Sequence, residues 1–187
     1  PSNIILMVDI IHKKLLLNIP ITEVENRNLL EQKYQLARSI IIDLDKWIEK
    51  QVHTIPQDNL WIASKHNALG YYANRYGLQT LSMLDYLGHS NSLRPSTISS
   101  VLLKIEQENI QVLFPEQEPP SKLIENLSVQ AGLPLTAEPI YVDGLIPEGN
   151  TISTAVHNTC LIVDSLGGIC DDEYGNSLSE RWKKLIL

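Results

Sequence analysis

The chain has 187 residues, 43% of them apolar, with 22 acidic and 15 basic side chains and a formal net charge of −7. That length can bury one substantial core. The acidic balance, without a basic run or a basic–aromatic stripe, argues against nucleic acid as a partner, and no apolar run is long enough to span a bilayer.

The first block, Ile4 to Ile19, is strongly apolar (IILMVDIIHKKLLLNI) and reads as either a buried helix or a strand followed by a helix. Lys13 and Lys14 mark its solvent side, and Pro20 breaks it. A long amphipathic helix is expected from about Glu25 to Lys50, with Leu29, Leu36, Ile40, Leu44 and Trp47 on one face. Beyond His53 the texture changes to strand alternating with helix. Leu60–Ala63 reads as a strand, Asn67–Tyr76 as a helix stopped by Gly77, and Leu78–Leu84 as the next strand. Pro95 opens a helix to about Glu108, Ile110–Phe114 is a strand, and Ser121–Gln130 is a helix closed by Gly132. Leu135–Val142 reads as a further strand and Thr151–Ser165 as a helix ended by Gly167 and Gly168. Ser177 and Glu180 are expected to box the start of a last short helix around Trp182. Leu87–Arg94 and Asp143–Asn150 read as loops.

Strands alternating with helices through short connections predict the α/β class: a mostly parallel sheet flanked by helices, preceded by the long amphipathic helix. Two regions are expected, an amino-terminal helical segment over 1–52 and an α/β lobe with carboxy-terminal helices over 53–187. The chain opens on Pro1 rather than Met, so the lack of a recognisable signal segment says nothing about export. Cys160 and Cys170, ten apart, are either bridged or two free thiols; their spacing does not suggest a zinc finger.

Three polar residues occupy equivalent places along this pattern. His66 follows the strand at Leu60, Glu116 the strand ending at Phe114, and Asp143 the strand ending at Val142. If the strands are parallel, all three project from one edge of the sheet, where open α/β sheets bind ligands. An imidazole with one or two carboxylates suits a divalent transition metal, which zinc takes at about 2.0–2.2 Å and manganese with more oxygen. Taken singly, each has a plainer use. A histidine at a helix start caps it, Glu116 in FPEQEPP sits in a solvated acidic loop, and Asp143 before Gly144 initiates a turn.

The other histidines carry weaker signals. His12 lies in the apolar block, His53 in a connector, His89 in a loop where it can serve as a mobile ligand, and His157 on a helix. Neither a phosphate-binding glycine loop nor a G-x-S-x-G nucleophile elbow is present, which leaves an enzyme as the least favoured class.

These residues resemble the zinc- and manganese-binding solute-binding proteins of ABC transporters. SKHNALGYYANRYGL is similar to the entry of that family's second, carboxy-terminal lobe. RPSTISSVLLKIEQENIQVLFPEQ resembles its helix and strand ending in a glutamate, and GLPLTAEPIYVDGL its last strand ending in a metal-ligand aspartate. NTISTAVHNTCLIVDSL resembles the final helix with its asparagine, here Asn158, and ENRNLLEQKYQ opens a segment like the family's long helix. The resemblance covers roughly Ile19 to Gly168 and rests on the order and spacing of these motifs.

The resemblance implies that His66 is the third and Asp143 the fourth ligand of a zinc or manganese ion. Glu116 stands near the site without binding the ion. It implies a periplasmic or extracytoplasmic protein that works with the membrane permease of an ABC transporter. Family members carry two further histidine ligands in a first lobe. The second of these would fall near Ile4, where this chain has none. The chain is therefore expected to lack the first lobe, with a second lobe, a second copy or water completing the coordination. Such a half-site should bind metal more weakly than a closed four-ligand site. The alternative expectation is a degenerate lobe of the family, serving as a structural or interaction domain without metal.

Overall fold

The computed structural model describes residues 2–86 and 95–186. The loop expected over 87–94, with His89, lies outside the described residues. In chain order the elements are α1 (Ser2–Asn18), α2 (Val24–Val52), β1 (Trp61–Ser64), α3 (Gly70–Tyr76), β2 (Gln79–Ser82) and α4 (Pro95–Gln107). β3 (Leu113–Phe114), α5 (Lys122–Ala131), α6 (Thr151–Ser165) and α7 (Asp172–Ile186) follow. The class is the expected α/β. A parallel sheet of three strands, in the order β2-β1-β3, is flanked by helices and preceded by the long helix.

The register explains why both faces are covered. Ala63 pairs with Leu81 on one side and Leu113 on the other, so these three share a face. That face is buried against Val101 and Ile105 of α4 and Ile124 and Leu127 of α5. Phe114 and Ile62 point the other way, into a larger core built from α2, α3, α6 and α7. Phe114 is completely buried there, and truncating such a side chain to alanine costs roughly 3–5 kcal/mol. Gly175 of α7 sits directly on that core. A Cβ at this position would stand 2.8 Å from Trp47 Cζ2 and from Val156 Cγ1, so only glycine lets α7 approach α2 and α6. Gly77, at φ 79°, ends α3 in the left-handed conformation, and its N–H donates to the Ala73 carbonyl.

Three expectations are corrected. The first block is one helix, and it is not buried: Leu6, Ile10 and Leu17 are 59, 53 and 75% exposed. α1 packs on α2, and a single neighbouring helix covers only one stripe of a helix that is apolar nearly all round. The Arg27 guanidinium fastens the end of α1 by donating to the Leu16 and Ile19 carbonyls at 2.9 and 2.8 Å. The apolar stripe of α2 is likewise covered only from Ile40 onward, while Leu29 and Leu36 stay exposed.

The strand expected at Leu135–Val142 is reduced to a bridge between Leu135 and Leu113. Pro139 removes an amide donor from that stretch, and Pro134 another just before it. The chain still runs parallel to β3: Thr136 N–H donates to the Leu113 carbonyl at 3.0 Å, and Ile140 N–H to that of Pro115 at 2.8 Å.

The last helix begins well before Ser177. The Asp171 carboxylate accepts from the Tyr174 N–H at 3.2 Å, as a helix cap does, whereas the Ser177 hydroxyl bonds back to the Tyr174 carbonyl within the helix. Cys160 and Cys170 form a disulfide, which ties α6 to the segment leading into α7. Among the described residues no helix is long and apolar enough to cross a membrane.

Candidate metal centre

Because the strands are parallel, their carboxyl ends lie on one edge, and the chain leaving them is held in place. The Ser64 carbonyl accepts the Met83 N–H at 3.0 Å and the Lys65 carbonyl that of Leu84 at 2.9 Å, so β1 and β2 stay paired past their ends. His66 follows in a tight bend. Its carbonyl accepts from the Ser64 hydroxyl at 3.0 Å and from the Ala68 N–H at 2.9 Å.

Glu116 leaves β3 at the same edge, with a side chain only 7% exposed. Its carboxylate grips His66 twice. Oε1 accepts the His66 main-chain N–H at 3.0 Å, and Oε2 lies 2.5 Å from ring Nδ1. An ionised carboxylate only accepts, so Nδ1 carries the hydrogen and Nε2 keeps its lone pair. Nε2 has no protein hydrogen-bond partner among the described residues, and the imidazole is 37% exposed. A carboxylate behind one ring nitrogen and a free lone pair on the other is how proteins prepare a histidine to bind a metal.

Asp143 is exposed and follows the segment that runs beside β3. The end of that segment is held by α6. Asn158 Oδ1 accepts the Tyr141 N–H at 2.9 Å, and its Nδ2 donates to the Tyr141 carbonyl at 2.8 Å. The His157 ring meets the Tyr141 ring edge-on at 5.3 Å, with Nε2 3.3 Å from the Pro139 carbonyl. The structure thus joins His66 to Glu116 and leaves Asp143 on the same edge without a hydrogen bond to either. Among the described residues, no three His, Cys, Asp or Glu side chains converge on one ion-sized gap.

The remaining described histidines are engaged elsewhere. His12 stacks on Tyr34 between α1 and α2, with Nε2 3.0 Å from a Glu31 oxygen. His53 Nδ1 lies 2.6 Å from the Glu49 carbonyl at the end of α2.

α3, which follows His66, is clamped on two sides. The Tyr72 hydroxyl donates to Thr159 Oγ1 on α6 at 3.1 Å, and burial pushes this phenol far above its usual range. Tyr76 and Arg75 both bond the Asp45 carboxylate of α2, at 2.8 and 2.5 Å. Burial, then the bond to Asp45, raises the Tyr76 phenol as well. Sequence reasoning did not find the Tyr72–Thr159 link or the grip of Asn158 on Tyr141. One signal was available for Asn158: it lies four residues from both Thr154 and Ile162, which are buried, so a polar amide on that stripe needs an internal partner.

Comparisons with known proteins agree with this fold. A family model described as zinc-uptake complex component A, periplasmic (ZnuA), matches residues 1–164. The metal-binding protein YtgA of Chlamydia pneumoniae is 28% identical over 141 residues, covering 67% of this chain and 42% of its own length. The manganese-binding lipoprotein MntA of Halalkalibacterium halodurans is 27% identical over 128 residues, covering 66% and 42%. The solved structure of the periplasmic zinc-binding protein TroA from Treponema pallidum superposes with a TM-score of 0.69 at 18% identity, covering 84% of this chain and 58% of its own. By description these three are metal-binding proteins. The chain spans less than half the length of the two sequence relatives.

Proposed function

We propose, on the premise that this chain belongs to the family of periplasmic zinc-uptake components, that it is the metal-binding component of an extracytoplasmic ABC transport system. Its cargo is a zinc or manganese ion, and its partner is the membrane permease of that system. His66 Nε2 and the Asp143 carboxylate are two of the ligands, and Glu116 orients the imidazole without touching the ion. A second lobe, a second copy or water supplies the others. The observation that carries this reading is the Glu116–His66 contact, which leaves a lone pair at the sheet edge where α/β folds bind their ligands. The Cys160–Cys170 disulfide suits an oxidising, extracytoplasmic compartment.

The competing reading is a lobe of the same family retained as a structural or interaction module. It is favoured by one observation, the lack of three converging ligands among the described residues. Calorimetric titration of zinc and manganese chloride into the full chain and into His66→Ala separates the two. Metal binding by the unaltered chain, weakened at least about tenfold by the substitution, supports the transport reading. Equal, weak affinity in both proteins, with a melting temperature indifferent to metal, supports the structural module, because an ion that binds only the folded state must stabilise it.

A further inference from the structure

The geometry points to Asn158 as a positioning residue that sets where Asp143 stands relative to His66. This inference rests on the function proposed above. The segment carrying Asp143 parts from its neighbour after Ile140, whose N–H to the Pro115 carbonyl is its last backbone bond to the chain leaving β3 among the described residues. At Tyr141 the Asn158 amide replaces the missing strand. It supplies one acceptor and one donor, at 2.9 and 2.8 Å, to both main-chain groups of one residue. Among side chains of this length only asparagine offers that pair. Aspartate keeps the acceptor and loses the donor, and leucine offers neither.

The clamp is mounted on a rigid support. α6 starts in a capping box, in which Asn150 Oδ1 accepts the Ile152 and Ser153 N–H groups while the Ser153 hydroxyl accepts the Asn150 N–H. About two turns further along, Thr159 is tied to Tyr72 of α3, and Cys160 to Cys170. α3 is also the helix entered from the His66 bend. A single helix thus references both halves of the site, the imidazole side through Tyr72 and the carboxylate side through Asn158. Asp143, two residues past the clamp and exposed, is thereby confined near the edge before the ion arrives, so that less ordering of that loop opposes binding than if Tyr141 were free.

The test is a double-mutant cycle on the full chain, with zinc and manganese chloride affinities measured for Asn158→Ala, Asp143→Ala and the double variant, and melting temperatures taken without metal. Asn158→Ala should weaken binding about ten- to a hundredfold, the range for residues that orient a ligand. In the Asp143→Ala background it should cause no further loss, because its effect passes through Asp143. Asn158→Asp, which keeps the bond to the Tyr141 N–H, should fall between, and it carries the same comparison if the alanine variant does not fold. Unchanged affinity in Asn158→Ala beside a weakened Asp143→Ala overturns this inference and spares the proposed function. So do losses that simply add in the double variant, which is the mark of a general structural role. Unchanged affinity in Asp143→Ala and in His66→Ala overturns both.

Discussion

Glu116→Gln is the sharpest perturbation of the site because it changes charge and hydrogen count at nearly constant shape. The native carboxylate accepts twice from His66, at the main-chain N–H and at ring Nδ1. A glutamine offers one oxygen and one NH₂ to the same two places. If its oxygen stays on the main-chain N–H, its NH₂ faces Nδ1. The imidazole must then move its hydrogen to Nε2, the nitrogen proposed to bind the ion. If the amide turns over, two donors face each other at the main chain. Either way one charge-assisted bond is lost at a carboxylate 7% exposed, worth about 1.5–3 kcal/mol. Metal affinity should fall about ten- to a hundredfold, or roughly 1.4–2.7 kcal/mol, for loss of the partner that orients a histidine ligand. The two figures agree in size, as they must if the hydrogen bond is the cause. Zinc titration reads the affinity, and nitrogen-detected NMR of the His66 ring reads the tautomer. A glutamine variant that binds zinc like the native chain, with the hydrogen still on Nδ1, would refute the reasoning.

Two further outcomes follow from the supporting structure. Replacing Cys160 and Cys170 by serine frees a loop with a sequence separation of 10; the chain-entropy relation puts the loss at about 3 kcal/mol. For a chain of this size that lowers the melting temperature by about 6–12 °C, and a thermal melt of the double variant checks it, a change below about 2 °C being the contrary result. The Asp45 carboxylate is raised by burial, but hydrogen bonds from Arg75 and Tyr76 outweigh this and hold it below its ordinary value. A depressed carboxylate stabilises the fold above the unfolded carboxylate range, and that contribution disappears as pH falls through the lower, folded value. Chemical denaturation of the native chain and Asp45→Asn from about pH 7 to about pH 3 should show a stability gap that closes on acidification; a gap constant with pH contradicts it.

The elements that were legible in the sequence are those with a period and a punctuation mark at each end. α4 begins at Pro95, α5 stops before Gly132, and α6 runs over Thr151–Ser165 as its apolar spacing and the following glycines require. Where the signal was apolarity alone it failed to decide, because composition states what a segment can bury and not what is available to cover it. Ile4–Ile19 is apolar enough for a core, yet α1 packs chiefly along α2 and leaves Leu6, Ile10 and Leu17 exposed. At Leu135–Val142 the β-type run was real, and the structure keeps its direction beside β3, but two prolines without N–H groups leave it one bridge instead of a ladder. The capping box expected at Ser177 missed the start of α7, which runs through Gly175. In isolation that glycine reads as a break, whereas in the fold it is the residue that lets the helix touch Trp47.

The candidate site divides along the same line. That His66, Glu116 and Asp143 leave successive parallel segments at one edge follows from topology, and topology is encoded in the alternation of strands and helices. Which of them touch depends on how far each chain travels beyond its last ladder bond, and nothing periodic records that distance. His66 stays within reach of Glu116 because the β1–β2 pairing continues through Lys65 and pins the bend. Asp143 lies three residues past the last bond to the Pro115 carbonyl, so its place is set by a side-chain amide on a helix instead of by the sheet. A position fixed by one hydrogen-bonded pair is cheaper to move than one fixed by a ladder. The carboxylate side of this edge is therefore the half expected to shift when an ion binds, while the imidazole side waits in its final geometry. Hydrogen exchange can distinguish the halves: zinc should slow the amides of 141–145 by more than those of 64–68, and equal protection of both would mean that the two sides are equally preformed.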